Sequence, residues 1–388
     1  MSKIVQRIQI VSLMCLSMWS IYCTADAAEE VVNKVRSIAT ALVDSPEPYD
    51  VLLGASIIAA RGDDDAFRII VSLARSGDSL VQLASIDTLV SIKHPKSLTY
   101  LRNLIEEVPS TMAPIMASLA INPREDALGL LQDGFASGEA LTKSSAIRAL
   151  AKIGDTASLE RFRKLANDSG EKPIVRANAY YGLVMLEGGD SVEDSLLEFE
   201  LSQDMPVKVQ EIITVSYGGL SSDRAKQRIQ SLLNDSDGVI AMAALISGVS
   251  QGNSPYEAAL VKVVSSGTPY QASLAAAGIR RIPTDIALRV TLKLIKCCDP
   301  HVEASLRLVE SWAWIHSDVL DPIVQWGLAH PDTDVRLQTI WLTGARADQR
   351  YINSVIPYLD HGDFLFRGMS AWAIGQMLGT PSQFAERN

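Results

Sequence analysis

The sequence predicts an all-α solenoid of about ten to eleven two-helix units. Three observations carry that prediction: a segment recurring at a nearly constant period, helical apolar spacing on both sides of a Gly/Asp turn, and acids and prolines gathered at the period boundaries. Starting from Val175-Arg176-Ala177-Asn178-Ala179-Tyr180-Tyr181-Gly182-Leu183, similar segments begin at Val81, Met112, Thr142, Val207, Val239, Tyr270, Val302, Val335 and Phe366, in steps of 30 to 33 residues. Two short helices cannot bury both of their apolar faces alone. Stacking each pair on its neighbours is expected to produce one continuous, elongated core.

Within a unit the first helix shows the spacing of Ala146, Ala149, Leu150 and Ile153, the turn reads Gly154-Asp155, and the second helix carries Leu159, Phe162 and Leu165. Three residues before the repeat starts stand Asp78, Glu139, Asp204, Asp299, Asp332 and Asp363, where an acid suits the N–H groups and positive dipole end of a new helix. Pro173, Pro206, Pro269, Pro300 and Pro331 occupy the same turns, where proline fits a first helical position.

One residue after the start a cation recurs: Lys143, Arg176, Lys208, Arg336 and Arg367. Four of these follow an acid by four residues, so an ion pair across the turn is the expected role, adding about 0.3–0.5 kcal/mol each where exposed. The same row on one face could also meet an acidic partner, which makes Arg176, Arg336 and Arg367 interface candidates.

The flanks read differently. Lys3 and Arg7 precede an apolar run from Ile8 to Cys23, and Ala25-Asp26-Ala27 offers a small-x-small cleavage site before Ala28, so residues 1–27 are expected to be a secretory signal peptide. Retention of that segment as a membrane anchor is the alternative. Residues 28–47 read as an N-terminal helix or cap, 48–380 as the repeats, and 381–388 as a tail. No later segment is long and apolar enough to span a bilayer. The expected location is the periplasm in a bacterium, and otherwise outside the cell.

The Asp-x-x-Val-Arg start in Asp332-Thr333-Asp334-Val335-Arg336, with the small-residue helix and Gly-Asp turn of Ala146 to Asp155, resembles HEAT repeats of the short type named after phycobilisome lyases. The resemblance covers about residues 48 to 380. It implies an α-solenoid, or superhelix, and says little of function; the long curved surface of such an array, with no reaction centre in the sequence, points to a non-catalytic scaffold for protein partners. Units starting at 112, 239 and 270 depart from the pattern, with Ala113, Ile240 and Gln271 where the cation would stand.

Composition narrows the function. With 47% hydrophobic and 21% charged residues the chain can bury a core, and a net charge of -10 with no Lys/Arg block argues against nucleic acid. His94, His301, His316, His330 and His361 are scattered through different units, without the paired His-Glu steps of the HEAT-like di-iron hydroxylases. There is no phosphate-binding glycine loop and no Gly-x-Ser-x-Gly elbow, so no catalytic residue, metal or cofactor is expected. Cys297 and Cys298 are adjacent, and Cys298 continues the spacing Thr291, Leu294, Cys298, which points to burial. A second reading stays open: a cofactor- or metal-binding protein, or a lyase-like enzyme, using Cys297, Cys298 and His301 or the tryptophan cluster.

Tryptophan is unevenly placed. Apart from Trp19, all of it follows residue 311: Trp312, Trp314, Trp326, Trp341 and Trp372. Trp341 and Trp372 hold equivalent places in consecutive units and read as core, leaving Trp312, Trp314 and Trp326 as interface candidates. Gly62-Asp63-Asp64-Asp65 reads as a helix cap rather than a calcium loop, and Asn167 and Asn234 match the glycan acceptor pattern.

Overall fold

The structure, a computed structural model, describes residues 28–378 except for positions 93, 189, 202–204, 299, 316 and 318. Among the described residues there are no strands, and the chain forms α1 (28–43), then α2 (Pro48–Ala59), α3 (Asp64–Ala74), α4 (Ser79–Ser91), α5 (Pro95–Glu107), α6 (Met112–Ile121), α7 (Leu128–Ala136), α8 (Ala140–Lys152), α9 (Leu159–Asn167), α10 (Pro173–Glu187) and α11 (Glu193–Leu201). The second half continues with α12 (Val207–Tyr217), α13 (Asp223–Leu232), α14 (Gly238–Ser250), α15 (Ser254–Ser266), α16 (Pro269–Gly278), α17 (Thr284–Cys297), α18 (Val302–Trp314), α19 (Asp321–Leu328), α20 (Thr333–Arg346), α21 (Ile352–Val355) and α22 (Phe364–Met377). Every segment that recurs in the sequence lies in an even-numbered helix.

The boundaries work as capping chemistry requires. Asp78, Asp332 and Asp363 each accept from backbone N–H groups at the start of α4, α20 and α22, and Asp63 and Asp237 do the same for α3 and α14. Glu139 stands at the N-cap of α8 but bonds the Thr142 hydroxyl instead of a backbone N–H. Asp204 and Asp299 lie outside the described residues. Gly154 closes α8 with φ +77, a conformation that a side chain would strain.

Two layers result. Each even-numbered helix packs on the next even-numbered one along the whole chain, whereas few odd-numbered helices meet directly. The tighter layer is therefore the inner, concave one, and the odd-numbered helices splay around its outside. Small residues permit the close inner packing, as with Ala146, Ala149 and Ala151 in α8 and Ala272, Ala275 and Ala276 in α16, all buried. Buried hydroxyls tie neighbouring units: Ser247 Oγ donates to the Thr214 carbonyl at 2.8 Å and Ser311 Oγ to the Ala276 carbonyl at 3.1 Å.

A second set of staples sits at the C-terminal ends of the inner helices. Arg124 donates to the carbonyls of Val90 (3.1 Å) and Ile92 (2.8 Å), Lys152 to Ala120 (2.5 Å), Gln251 to Tyr217 (3.1 Å) and Leu220 (2.8 Å), and Arg346 to Ile315 (2.7 Å) and Ser317 (3.1 Å). Each satisfies open carbonyls at the end of the preceding inner helix, and the three cations also complement its dipole.

The solenoid expected from the period forms, but it closes on itself instead of extending, because the two ends meet. Helix α22 packs on α2 as any inner helix packs on its successor. Helix α1 fills the outer place beside them: Leu42 and Leu53 lie against Gly368, Ile57 lies against Gly375, and Lys34 pairs with Asp360 just before α22. Val35, Ala39 and Leu42 of α1 join one buried cluster with Phe366, Ala371 and Ile374. Gly54 allows the approach, since a Cβ there would stand 2.7 Å from the Ala39 carbonyl oxygen. The result is a closed ring of eleven two-helix units, the last made of α22 from one end of the chain and α1 from the other.

Among the carboxylates buried in the wall, Glu200 has a complete set of partners. Glu200, with its side chain 3% exposed, receives a two-pronged pair from Arg228 at 2.9 and 2.7 Å and the Tyr217 hydroxyl at 2.7 Å. Burial, then the Glu200 charge, push the Tyr217 phenol far up, so it stays a donor.

Candidate functional site

The three arginines and three tryptophans singled out in the sequence do not form one site. Arg176 donates to the Ala166 carbonyl at 2.9 Å and lies 4.3 Å over the Phe199 ring. Arg336 binds the carbonyls of His330 and Pro331, both at 2.7 Å, and Arg367 binds those of His361 (2.8 Å) and Gly362 (3.0 Å). For Arg336 and Arg367 these carbonyl contacts replace the expected ion pairs, with Asp332 and Asp363 serving as caps, while Asp204, the expected partner of Lys208, lies outside the described residues. Lys143 pairs with Glu171 at 2.9 Å, and Lys208 with Glu211 at 2.8 Å. The recurring cation thus fastens helix starts and does not present a free row of charge.

Trp312 corrects the interface expectation outright. It is fully buried and its indole N–H donates to Thr291 at 3.1 Å, a core position between α17 and α18. Trp314 is half-buried, edge-on to Trp341 at 6.3 Å, and Trp326 is half-buried, edge-on to His330 at 5.2 Å. Cys298 is half-buried against the same core, and the Cys297 side chain lies outside the described residues. Among the described residues no three His, Cys, Asp or Glu side chains gather as a metal would need.

Two other features stand out on the ring, one at each end of the inner helices. All inner helices run parallel, so their first turns share one rim. There Tyr49, Leu80, Leu141, Tyr270 and Leu365, each the second residue of its helix, are 52%, 66%, 63%, 67% and 56% exposed. Acids stand among them: Asp78 and Asp363 at the caps, and Glu303 and Asp334 at the same second position of α18 and α20. The rim is therefore apolar and anionic together.

The opposite feature is a group of cations on the inner face. Arg148 and Lys152 project from the last turns of α8, while Arg280 and Arg281 follow α16, and all four act on one another electrostatically across the inside of the ring. Arg281 reaches over α14 to Glu211 at 3.1 Å, and Arg307 pairs with Glu310 at 2.6 Å. Burial, and after it Arg280, Arg148 and Arg281, lower the Lys152 ammonium to about 8. Its own surface is exposed although protein surrounds it closely. Burial tends to raise Glu211, but Lys208 and Arg281 outweigh it and hold the carboxyl below its usual range. Tyr181 is pushed up by burial against the pull of Arg281 and Arg148.

The sign of the Lys152 effect gives a prediction. Its folded pKa lies below its unfolded one, so the folded ring carries an unfavourable charge at neutral pH that is relieved as pH rises. From pH 8 toward 10.5 the stability of the wild type should therefore rise relative to Lys152→Met, read as the difference between their urea midpoints at pH 7.5 and 9.5. A difference that does not change with pH would contradict the arrangement.

The cation group was out of reach of sequence reasoning, which found no basic block because its members lie in separate units. The one local signal is the doublet Arg280-Arg281, with Arg148 and Lys152 one turn apart on a helix face.

Residues 142–168, which form α8 and α9, match the family model of the PBS lyase HEAT-like repeat. That stretch of the chain is similar to one HEAT-like repeat. The fold of the chain is similar to that of an engineered protein (15% identity, 89% of this chain and 99% of that one, TM-score 0.26) and of human deoxyhypusine hydroxylase in complex with glycerol (14%, 77% and 97%, TM-score 0.28). It is also similar to Kap121p, at 12% identity over 92% of this chain and 42% of that one, with a TM-score of 0.30. No curated protein matches this sequence.

Proposed function

We propose that this HEAT-like ring is an exported, non-catalytic scaffold that holds a protein partner, with the apolar rim as its contact surface. The observation that carries the reading is the rim itself: five large side chains with apolar surface, each more than half exposed, at the second position of five of the eleven inner helices, α2, α4, α8, α16 and α22. Isolated exposed apolar residues are ordinary, but a repeated set on one rim marks a contact surface. The acids among them select a partner that offers apolar residues interleaved with Lys or Arg. Export rests on the signal-like residues 1–27, and in a bacterium a cell-envelope assembly is the setting that follows.

The triple variant Leu80→Glu/Leu141→Glu/Leu365→Glu tests the surface without touching the core. Cross-linked capture of the mature protein from its native cells should recover a reproducible, salt-sensitive set of envelope proteins. That set should be lost in the variant while its melting temperature stays unchanged. Retention of the set by a folded variant would remove the rim from the interface. Export is checked on the same material: a mature chain starting at Ala28 is expected, and an intact Met1 end in the membrane fraction would overturn cleavage.

A further inference from the structure

We propose that the inner face between α8 and α16 is a binding site for a compact phosphate-class oxyanion. The chain has a net charge of -10, yet at this place cations from distant units converge. Two carboxylates lie near, Glu211 toward Arg148 and Glu310 toward Arg280, but each is already held in an ion pair by another cation. Glu211 is shared by Lys208 and Arg281, and Glu310 is taken by Arg307. Arg148, Lys152 and Arg280 are left with no carboxylate partner among the described residues. The Nε of Arg148 is buried with no hydrogen-bond partner at all, which is costly unless something else accepts from it.

A structural account covers only part of this group. Lys152 works as a staple to the Ala120 carbonyl, like Arg124 and Arg346 in their units, but Arg148 and Arg280 make no such bond. Beside them lies a pocket of about 340 Å³ between α16 and α18, lined by Tyr270, Ser273, Arg280, Arg307, Glu310 and Ser311 among others, with Arg148 and Lys152 outside its lining. That volume suits a small molecule. Guanidinium forks are the groups that grip phosphate oxygens in pairs, and here they approach from both α8 and the end of α16. An extended acidic peptide would be matched by a row of cations along a groove. The cations here face one another across a confined space. The cations lie toward the C-terminal ends of the inner helices, whereas the pocket beside them runs along α16 as far as Tyr270 of the rim, so the double variant below leaves the rim residues unchanged and tests the cations separately.

Pyrophosphate is the probe. The mature full-length protein, dialysed at low ionic strength and pH 7.5, should bind it saturably in calorimetry, with affinity falling as NaCl is added. Arg148→Gln/Arg280→Gln should weaken binding at least tenfold while its unliganded melting temperature stays the same or rises. Arg68→Gln, on the outer helix α3, should bind as the wild type does. Glycerol 3-phosphate and phosphatidylglycerol vesicles, offered separately, distinguish a free metabolite from a lipid headgroup as the source, and binding of either that fails in the double variant supports the site. Absence of saturable pyrophosphate binding, undiminished binding by the double variant, or tighter capture of an oligoglutamate peptide would each overturn the proposal.

Discussion

Truncating Leu42 to Ala is expected to cost about 2–4 kcal/mol, the usual range for a fully enclosed leucine, and to loosen the far end of the chain. Leu42 is 1% exposed and touches both α2 and Gly368 of α22. Hydrogen exchange is the discriminating readout. In the closed ring, amides in Phe364–Met377 should exchange faster in Leu42→Ala than in Leu89→Ala, a buried truncation placed in α4. If the ends did not meet, Leu42→Ala would speed exchange only in α1 and α2 and leave α22 as it is. Urea unfolding followed at both ends of the chain completes the test, since one coincident transition is expected of a ring whose last unit is shared.

The second large effect is expected at Glu200. Replacing Arg228 with Ala removes the two-pronged partner of a carboxylate whose side chain is 3% exposed, leaving only the Tyr217 hydroxyl against a buried charge. A loss of about 3–5 kcal/mol follows. Arg228→Ala/Glu200→Gln should recover much of that loss, because the neutral amide no longer needs a cation. Urea midpoints of the two variants measure the difference, and a single variant that unfolds like the wild type would show that the pair contributes nothing net.

What the sequence shows of this protein is its local order. The recurrence of Val-Arg-like starts, the Asp caps and the Gly154 turn each act within a few residues, and together they give the unit, its two helices and their number. Closure is a different kind of property. It depends on the rotation summed over all units, roughly 33° each for eleven in a full turn, and no motif encodes that sum. Val35, Ala39 and Leu42 look like one face of any terminal helix until α22 is brought to them. The cation group fails to appear for the same reason, since Arg148 and Arg280 become neighbours only across the interior. The tryptophans show the reverse error. Aromatic character suggested exposure for Trp312, whereas the Thr291 hydroxyl supplies the hydrogen bond that lets the indole sit in the core. The rim was legible in part, because Leu80, Leu141 and Leu365 each directly precede a repeat start, but only the parallel packing of the inner helices puts them on one edge.

The shared unit of α22 and α1 also bears on how the chain is made. Helix α1 emerges first and α22 last, so throughout synthesis the apolar stripe of α1 and the exposed flank of α2 wait for a mate that does not yet exist. At ordinary elongation rates of about 5–20 residues per second the wait lasts on the order of 20–60 s. Until then every nascent chain offers one unpaired helical edge that another nascent copy could satisfy. Two copies that exchange α1 would bury the same surfaces as two separate rings, so the unpaired edge is the place at which the fold is open to exchange between copies.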